Sequence, residues 1–153
     1  MRLTSFTDFG LRALMRLAAN PDRAFSTAEL AAEFLLSRNH LTKIMAALSQ
    51  AGIVTTRRGG GGGAMLTRPP SEISLGEVVR ILEADQSLVE CFAPSGGNCT
   101  ITECCRLKTR LRAAERNFLA ELDRSTLADV ALPALVDPGL GTDPASTRHP
   151  LNS

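Results

Sequence analysis

The stretch STAELAAEFLLSRNHLTKIMAALSQAG, residues 26–52, decides the fold. Ser26 and Glu29 have the spacing of a capping box, in which the hydroxyl accepts from an amide three residues on and the carboxylate reaches back. The pattern therefore predicts a short helix that opens here and runs to about Glu33.

A second capped helix follows directly. After a tight connection at residues 34–36, Ser37 is a suitable N-cap for a longer helix that reaches Gln50, with Gly52 in the C-cap position. A short helix, a tight turn and a second capped helix form the pattern of a helix-turn-helix unit. A further amphipathic helix is predicted upstream, over residues 7–20.

The second helix has two different faces. Its apolar residues recur at helical spacing and are expected to pack inward: Leu41, Ile44, Met45 and Leu48. Its other face and its free N-terminal turn carry hydrogen-bond donors of the kind that reach phosphates and base edges in a major groove. The candidate DNA-contacting residues are Ser37, Arg38, Asn39, His40 and Lys43. The alternative is a solvated polar face, which any surface helix has.

The next segment has the pattern of a β-hairpin. Residues 54–58 and 64–67 have strand character, and five consecutive glycines join them. A flexible tip with Arg57 and Arg58 at its base suits a wing that lies along the DNA backbone, where the arginines neutralise phosphates. Residues 1–70 are therefore predicted to form a winged helix-turn-helix domain.

Charge divides the chain in the same place. Residues 1–70 carry nine Lys or Arg against four Asp or Glu, a balance of +5, whereas residues 71–153 carry eight against twelve, a balance of −4. The basic part is the one expected to meet a polyanion such as double-stranded DNA.

Composition argues against several other classes of protein. No apolar run approaches the roughly 18 to 20 residues needed to cross a bilayer, so no membrane partner is expected. The N-terminal stretch is interrupted by charges and lacks the core of a secretory signal, and we expect a cytoplasmic protein in which thiols stay reduced. The absence of a C-x-x-C pair and of a P-loop indicates that the protein is not an enzyme.

The second half is predicted to be helical and to end in a tail. Leu107, Leu111, Ala114 and Phe118 have the spacing of a coiled-coil seam within a helix over roughly residues 104–123. A helix this long in a small protein favours pairing with a second copy, and DNA readers of this type commonly bind as dimers.

The sequence thus predicts a mainly α fold in three parts. These are the winged domain at 1–70, a cysteine loop with a dimerisation helix at 71–132, and a disordered tail at 133–153.

All four cysteines lie close together, at positions 91, 99, 104 and 105. Structural zinc sites favour two closely spaced pairs, which this pattern does not offer. Adjacent Cys104 and Cys105 point in different directions, so both binding one metal ion is not expected. Three thiolates with one weaker ligand would suit an iron-sulfur cluster that has one reactive iron. A disulfide between Cys91 or Cys99 and one of the adjacent pair, and a zinc site, are the alternatives.

Several segments, in order, resemble the BadM/Rrf-two family of bacterial winged-helix regulators, and within it most resemble the nitric-oxide-sensing NsrR subfamily. They are LTSFTDFGLRALMRLA (3–18), LSRNHLTKIMAALSQAGIV (36–54), RRGGGGGAMLTRP (57–69), ISLGEVVRILE (73–83) and CRLKTRL (105–111). The resemblance covers about residues 1–132 and implies a homodimeric repressor that binds a palindromic operator and releases it when nitric oxide attacks its cluster.

The resemblance also implies a ligand set. By position, Cys91, Cys99 and Cys105 would hold a [2Fe-2S] or [4Fe-4S] cluster. Regulators of cluster assembly in this family have a histidine where this chain has Lys108, a departure that favours the nitric-oxide sensors. In some of those sensors an aspartate from the partner's first helix completes the set, and Asp8 stands at that position. Its other interpretation is an N-terminal capping or first-turn acid that stabilises a helix by about 0.3 to 1 kcal/mol.

Overall fold

A computed structural model describes residues 3–59, 62–101 and 103–133. The described fold is mainly helical with a small two-stranded wing, as the sequence predicts. Its elements are α1 Ser5–Ala19, α2 Thr27–Glu33, α3 Arg38–Gln50, β1 Val54–Arg57, β2 Gly63–Leu66, α4 Leu75–Leu82 and α5 Arg106–Leu122, with 3-10 turns at Pro70–Glu72 and Glu90–Phe92.

Side-chain caps set the starts of the helices. Ser26 and Glu29 form both halves of the predicted capping box at α2. Ser74 caps α4 by accepting from the Glu77 amide at 3.1 Å. Among the described contacts Glu77 does not reach back to complete a capping box with Ser74, because its carboxylate pairs with Arg68 instead. That ion pair ties the end of the wing to α4.

Two glycines of the wing are required by close backbone approach. β1 and β2 are antiparallel, with Arg57 opposite Gly63. The Phe25 backbone exchanges hydrogen bonds with Ala64, at 3.0 and 2.7 Å. A Cβ atom on Gly63 would lie 2.5 Å from the Phe25 carbonyl carbon, and one on Gly62 would lie 2.3 Å from the Arg57 oxygen. Steric demand therefore explains these two residues. Of the five glycines predicted to form a flexible tip, Gly60 and Gly61 lie outside the described residues.

The hydrophobic core joins the winged part to the segments that follow it. Leu14 of α1 and Ile44 of α3 are fully buried in it. Ile73, Val78 and Leu127, from beyond the predicted division at residue 70, belong to the same cluster. The winged part thus packs on residues that follow it in the chain.

The segment after α5 returns to the core. The Leu127 amide donates to the Ile73 carbonyl at 2.9 Å, and Leu127 itself is fully buried. The Asp129 carboxylate accepts from the Thr126 amide at 2.6 Å. Residues 126–129 therefore form a capped turn and not a helix. Of the predicted disordered tail, only Pro133 is described; residues 134–153 lie outside the described residues.

α5 is held to α4 at its far end. Asp123 binds both Arg80, with Nη1 at 2.8 Å, and the Ser74 hydroxyl at 3.0 Å. None of the 17 residues of α5, all of which the structure describes, is buried.

In the described part of the chain, no helix is long and apolar enough to span a membrane.

Candidate nucleic-acid interface and cysteine loop

The exposed face of α3 is the candidate DNA-reading surface. Arg38, Asn39 and Lys43 are exposed, whereas Leu41 and Ile44 anchor the opposite face in the core. Long donors on a helix that is fixed from behind are suited to a major groove.

Two of the predicted DNA contacts have structural tasks in the fold. The Ser37 hydroxyl caps α3 by accepting from the His40 amide at 3.2 Å. The His40 ring stacks on Phe6, with centroids 6.1 Å apart, and meets the edge of Phe9 at 5.6 Å. His40 therefore joins the start of α3 to α1.

The turn between α2 and α3 contains a residue that sequence reasoning missed. Leu35 has a φ of 54°, in the left-handed region, and its side chain is 92% exposed. The Leu36 amide closes the turn by donating to the Ala31 carbonyl at 2.8 Å. This tight turn contains no glycine. That absence was the only signal in the sequence that a residue with a side chain adopts the left-handed conformation.

A buried arginine fixes the end of α2, next to this turn. Arg16 of α1 is 5% exposed, and its Nε donates to Glu33 at the end of α2 at 2.7 Å. Its buried Nη1 has no hydrogen-bond partner among the described residues. Because an unpaired buried charge is costly, Glu33 is important to the placement of α2. The sequence pattern had shown Arg16 only as an interruption of an apolar stretch.

The wing and the start of α1 border this surface. Arg57 and Arg58 are exposed at the base of the wing. Asp8 pairs with Arg12 of its own helix at 2.7 Å, with both side chains about half exposed. Asp8 lies in the first turn of α1, whose N-cap is Thr4.

A carboxylate links α1 to α4. Glu83, at the end of α4, accepts from both the amide and the hydroxyl of Thr4, each at 2.8 Å. Burial disfavours its charged form, but hydrogen bonds from Thr7 and Thr4 outweigh that cost and hold the pKa of Glu83 below its usual value. The start of α1 is thus tied to the helix on which α5 packs.

The cysteine segment lies between α4 and α5. Cys91 is the middle residue of the 3-10 turn Glu90–Phe92, and Cys105 is the N-cap of α5, where its Sγ accepts from the Lys108 amide at 3.4 Å. Cys91, Cys99 and Cys105 are partly exposed. Cys104 is exposed, and its thiol donates to the Ile101 carbonyl at 3.6 Å. The two adjacent thiols therefore make different hydrogen bonds.

The donor set suits an iron-sulfur cluster in its chemistry. Such clusters are held by cysteine thiolates, and Cys105 already accepts a backbone N–H at a helix N-terminus, a position that favours anions. Within the described part of this single chain, however, no three His, Cys, Asp or Glu side chains are grouped closely enough to hold one metal ion. The ligand types are present, but the described residues of one chain do not bring three of them together.

A helix-turn-helix followed by a two-stranded wing, with exposed cationic residues on both, defines a winged-helix DNA-binding protein. Residues 3–132 match the Rrf2 family, described as iron-dependent transcriptional regulators. The chain belongs to this family; it is a DNA-binding transcriptional regulator and not an enzyme.

Solved structures of three proteins illustrate the similarity. CymR (YrzC), the global cysteine regulator of B. subtilis, is 28% identical, with a TM-score of 0.64 over 86% of this chain and 96% of that one. IscR of T. potens is 26% identical, with a TM-score of 0.65 over 84% and 85%. The oxidized form of Staphylococcus aureus CymR is 28% identical, with a TM-score of 0.62 over 86% and 96%.

Proposed function

We propose that the protein is a homodimeric repressor that releases a palindromic operator in response to nitric oxide, with Cys91, Cys99 and Cys105 holding an iron-sulfur cluster. The observation that carries this proposal is the position of Cys105. It caps the helix that is bound through Asp123 to α4, so a change at this thiol acts directly on the start of α5.

A continuous set of contacts leads from there to the DNA-reading helix. α4 meets α1 through Glu83 and Thr4, and also where Leu82 packs against Gly10. α1 in turn meets α3 through the rings that hold His40. Contiguous contacts of this kind can carry coupling between two sites.

DNA binding is assigned to the exposed cations. Arg38, Asn39 and Lys43 on α3 would enter the major groove, while Arg57 and Arg58 at the wing would neutralise phosphates. Ser37 and His40, placed by their hydrogen bond and ring contacts, would act mainly by fixing the start of α3.

The dimer is proposed to form through α5. Its seam residues lie unburied in the single chain, and Leu107 is 63% exposed. A second copy would cover them and would bring another α1 near the cysteine loop. Asp8 of that copy would then leave Arg12 and supply the remaining ligand. When bound, the cluster would supply iron that reacts with nitric oxide; the protein's own part is to hold the thiolates and the helices that they connect.

A thiol switch is the second candidate, and two observations favour it. Residues 3–59, 62–101 and 103–133 of one chain do not bring three ligands together, and the solved relatives include a cysteine regulator and an oxidized form of CymR. In this version Cys91 or Cys99 and one thiol of Cys104 or Cys105 lose two protons and two electrons to an oxidant such as a peroxide and form a disulfide.

Single replacements of the cysteines distinguish the two candidates. Cys91→Ala, Cys99→Ala and Cys105→Ala should each yield anaerobically purified protein without stoichiometric iron and sulfide and without specific operator binding. Cys104→Ala, the matched control at an exposed neighbour, should keep both properties. The thiol switch would be favoured if operator binding survived iron chelation but was lost on oxidation. It would be favoured further if Cys104→Ala protected operator binding against that oxidation.

A further inference from the structure

The two residues that flank Cys91 make contacts in different directions. Glu90, on one side, accepts the Asn98 amide at 2.9 Å. Gly97 adopts a φ of +60°, and a Cβ atom there would lie 2.6 Å from the Glu90 Cγ. Glu90 therefore holds the chain immediately before Cys99 against the turn that contains Cys91.

Phe92, on the other side of Cys91, contacts α5. The Arg112 guanidinium lies over the Phe92 ring, with Cζ 5.0 Å from the ring centroid. Arg112 follows Cys105 by seven residues, two turns of helix, so both lie on the same face of α5. The contact therefore attaches the Cys91 turn to the face of α5 that begins with Cys105.

These contacts lie outside the hydrophobic core. Glu90 and Arg112 are exposed, and a shallow pocket of about 250 Å³, lined by Phe92, Arg112, Glu115 and Arg116, adjoins the ring. Phe92 is partly buried and does not belong to the core cluster, so removing either contact should free the turn locally without unfolding the protein.

We propose that Glu90 and Phe92 are positioning residues for the sensing site. Glu90 holds Cys91 beside the segment that carries Cys99, and Phe92, through Arg112, holds Cys91 beside the helix that carries Cys105. The inference rests on the proposed function in one respect, that these three thiols act as one site. It makes the Phe92 contact the mechanical link through which a change at Cys91 reaches α5.

Thiol cross-linking in the metal-free, reduced protein tests each link separately. Cys104→Ser serves as the background, which leaves three thiols, and dibromobimane serves as a short cross-linker whose products are identified by peptide mass. Arg112→Ala should slow the Cys91–Cys105 product about two- to fivefold, the equivalent of an exposed cation–π contact, and leave the Cys91–Cys99 product unchanged. Glu90→Ala should slow the Cys91–Cys99 product about fivefold and leave the other unchanged.

Conservative and neighbouring variants complete the design. Glu90→Gln keeps an acceptor oxygen and Arg112→Lys keeps a cation, so both should restore most of the cross-linking. Arg116→Ala, which removes a cation from the same pocket but not from the ring, and Glu103→Gln, at an exposed loop position, should leave both products unchanged. Equal slowing of both products by either variant, or no slowing by Glu90→Ala and Arg112→Ala, would overturn the proposal. Because no cluster is present, these outcomes are independent of whether the protein binds iron.

Discussion

The winged part of the molecule buries its apolar side chains within the chain, whereas α5 leaves its apolar side chains at least partly exposed. In α3, Leu41 is fully buried, and the helix is fixed by α1, α2, the wing and α4. In α5, Leu107 is 63% exposed and no residue is buried. One chain therefore buries the apolar surface of its DNA-reading part, whereas the 17-residue α5 keeps an uncovered apolar stripe, which the proposed second copy would cover.

The most demanding test of this contrast compares the same substitution in the two regions. Leu41→Ala should lower the free energy of unfolding by about 2 to 5 kcal/mol, because it leaves a cavity in the core. Leu107→Ala should change the stability of a monomeric state by less than about 0.5 kcal/mol but weaken dimerisation. Denaturant unfolding and analytical ultracentrifugation measure the two effects. A large stability loss for Leu107→Ala, with unchanged assembly, would contradict the assignment of α5.

Ion pairs should show the same contrast on a smaller scale. Glu33→Gln leaves the buried Arg16 without its counter-charge and should cost about 1 to 3 kcal/mol in chemical denaturation. Glu121→Gln, in the pair that Glu121 forms with Arg124 on α5, should cost less than about 0.5 kcal/mol because both side chains are more than 70% exposed. Equal losses would mean that Arg16 is not held by Glu33 in solution.

DNA affinity should respond to cations on α3 and not to cations at the far end of α5. Lys43→Ala should weaken operator binding and reduce the slope of log affinity against log salt by about 1, as expected for one lost phosphate contact. Arg124→Ala removes an equally positive but remote side chain and should leave the slope unchanged. Electrophoretic mobility or fluorescence anisotropy titrations at several salt concentrations give both values.

The smallest expected effect is on the acid side of the stability curve. The hydrogen bond from Arg80 is the main reason that the pKa of Asp123 lies below its usual value, with Ser74 contributing. A lowered folded-state pKa contributes stability above the unfolded pKa and loses it as pH falls through the folded value. Asp123→Asn and Arg80→Ala should therefore flatten the loss of stability below about pH 4, whereas Arg124→Ala should not. If all three variants lost stability with falling pH as steeply as the unaltered protein, the Arg80–Asp123 contact would not contribute to the pH dependence.

The elements of the fold were predictable because their signals are local. Ser26 and Ser37 sit within three residues of the amides that they cap, and the apolar spacing around Ile44 repeats within one helix. Contacts between distant elements left no such mark. The packing of His40 on α1, the approach of Phe25 to Gly63, and the preference of Glu77 for Arg68 depend on how helices and wing meet in space.

The cysteine site was predictable only in its chemistry. Residue types and spacing identified thiols at the start of a long helix, and the structure adds the contacts of Glu90 and Phe92 that place the Cys91 turn. Spacing along a loop does not determine which side chains lie close together, because a loop of this length can adopt many conformations. A ligand from a second subunit, as proposed for Asp8, leaves no pattern in one chain beyond the residue itself.

The central claim is that a cluster on Cys91, Cys99 and Cys105 controls operator binding. The most direct test is to measure iron, acid-labile sulfide and operator affinity in one anaerobic preparation before and after stoichiometric nitric oxide. The proposal predicts a cluster-containing protein with tight specific binding that is lost as the cluster reacts. Tight binding by protein that contains neither iron nor sulfide would contradict it.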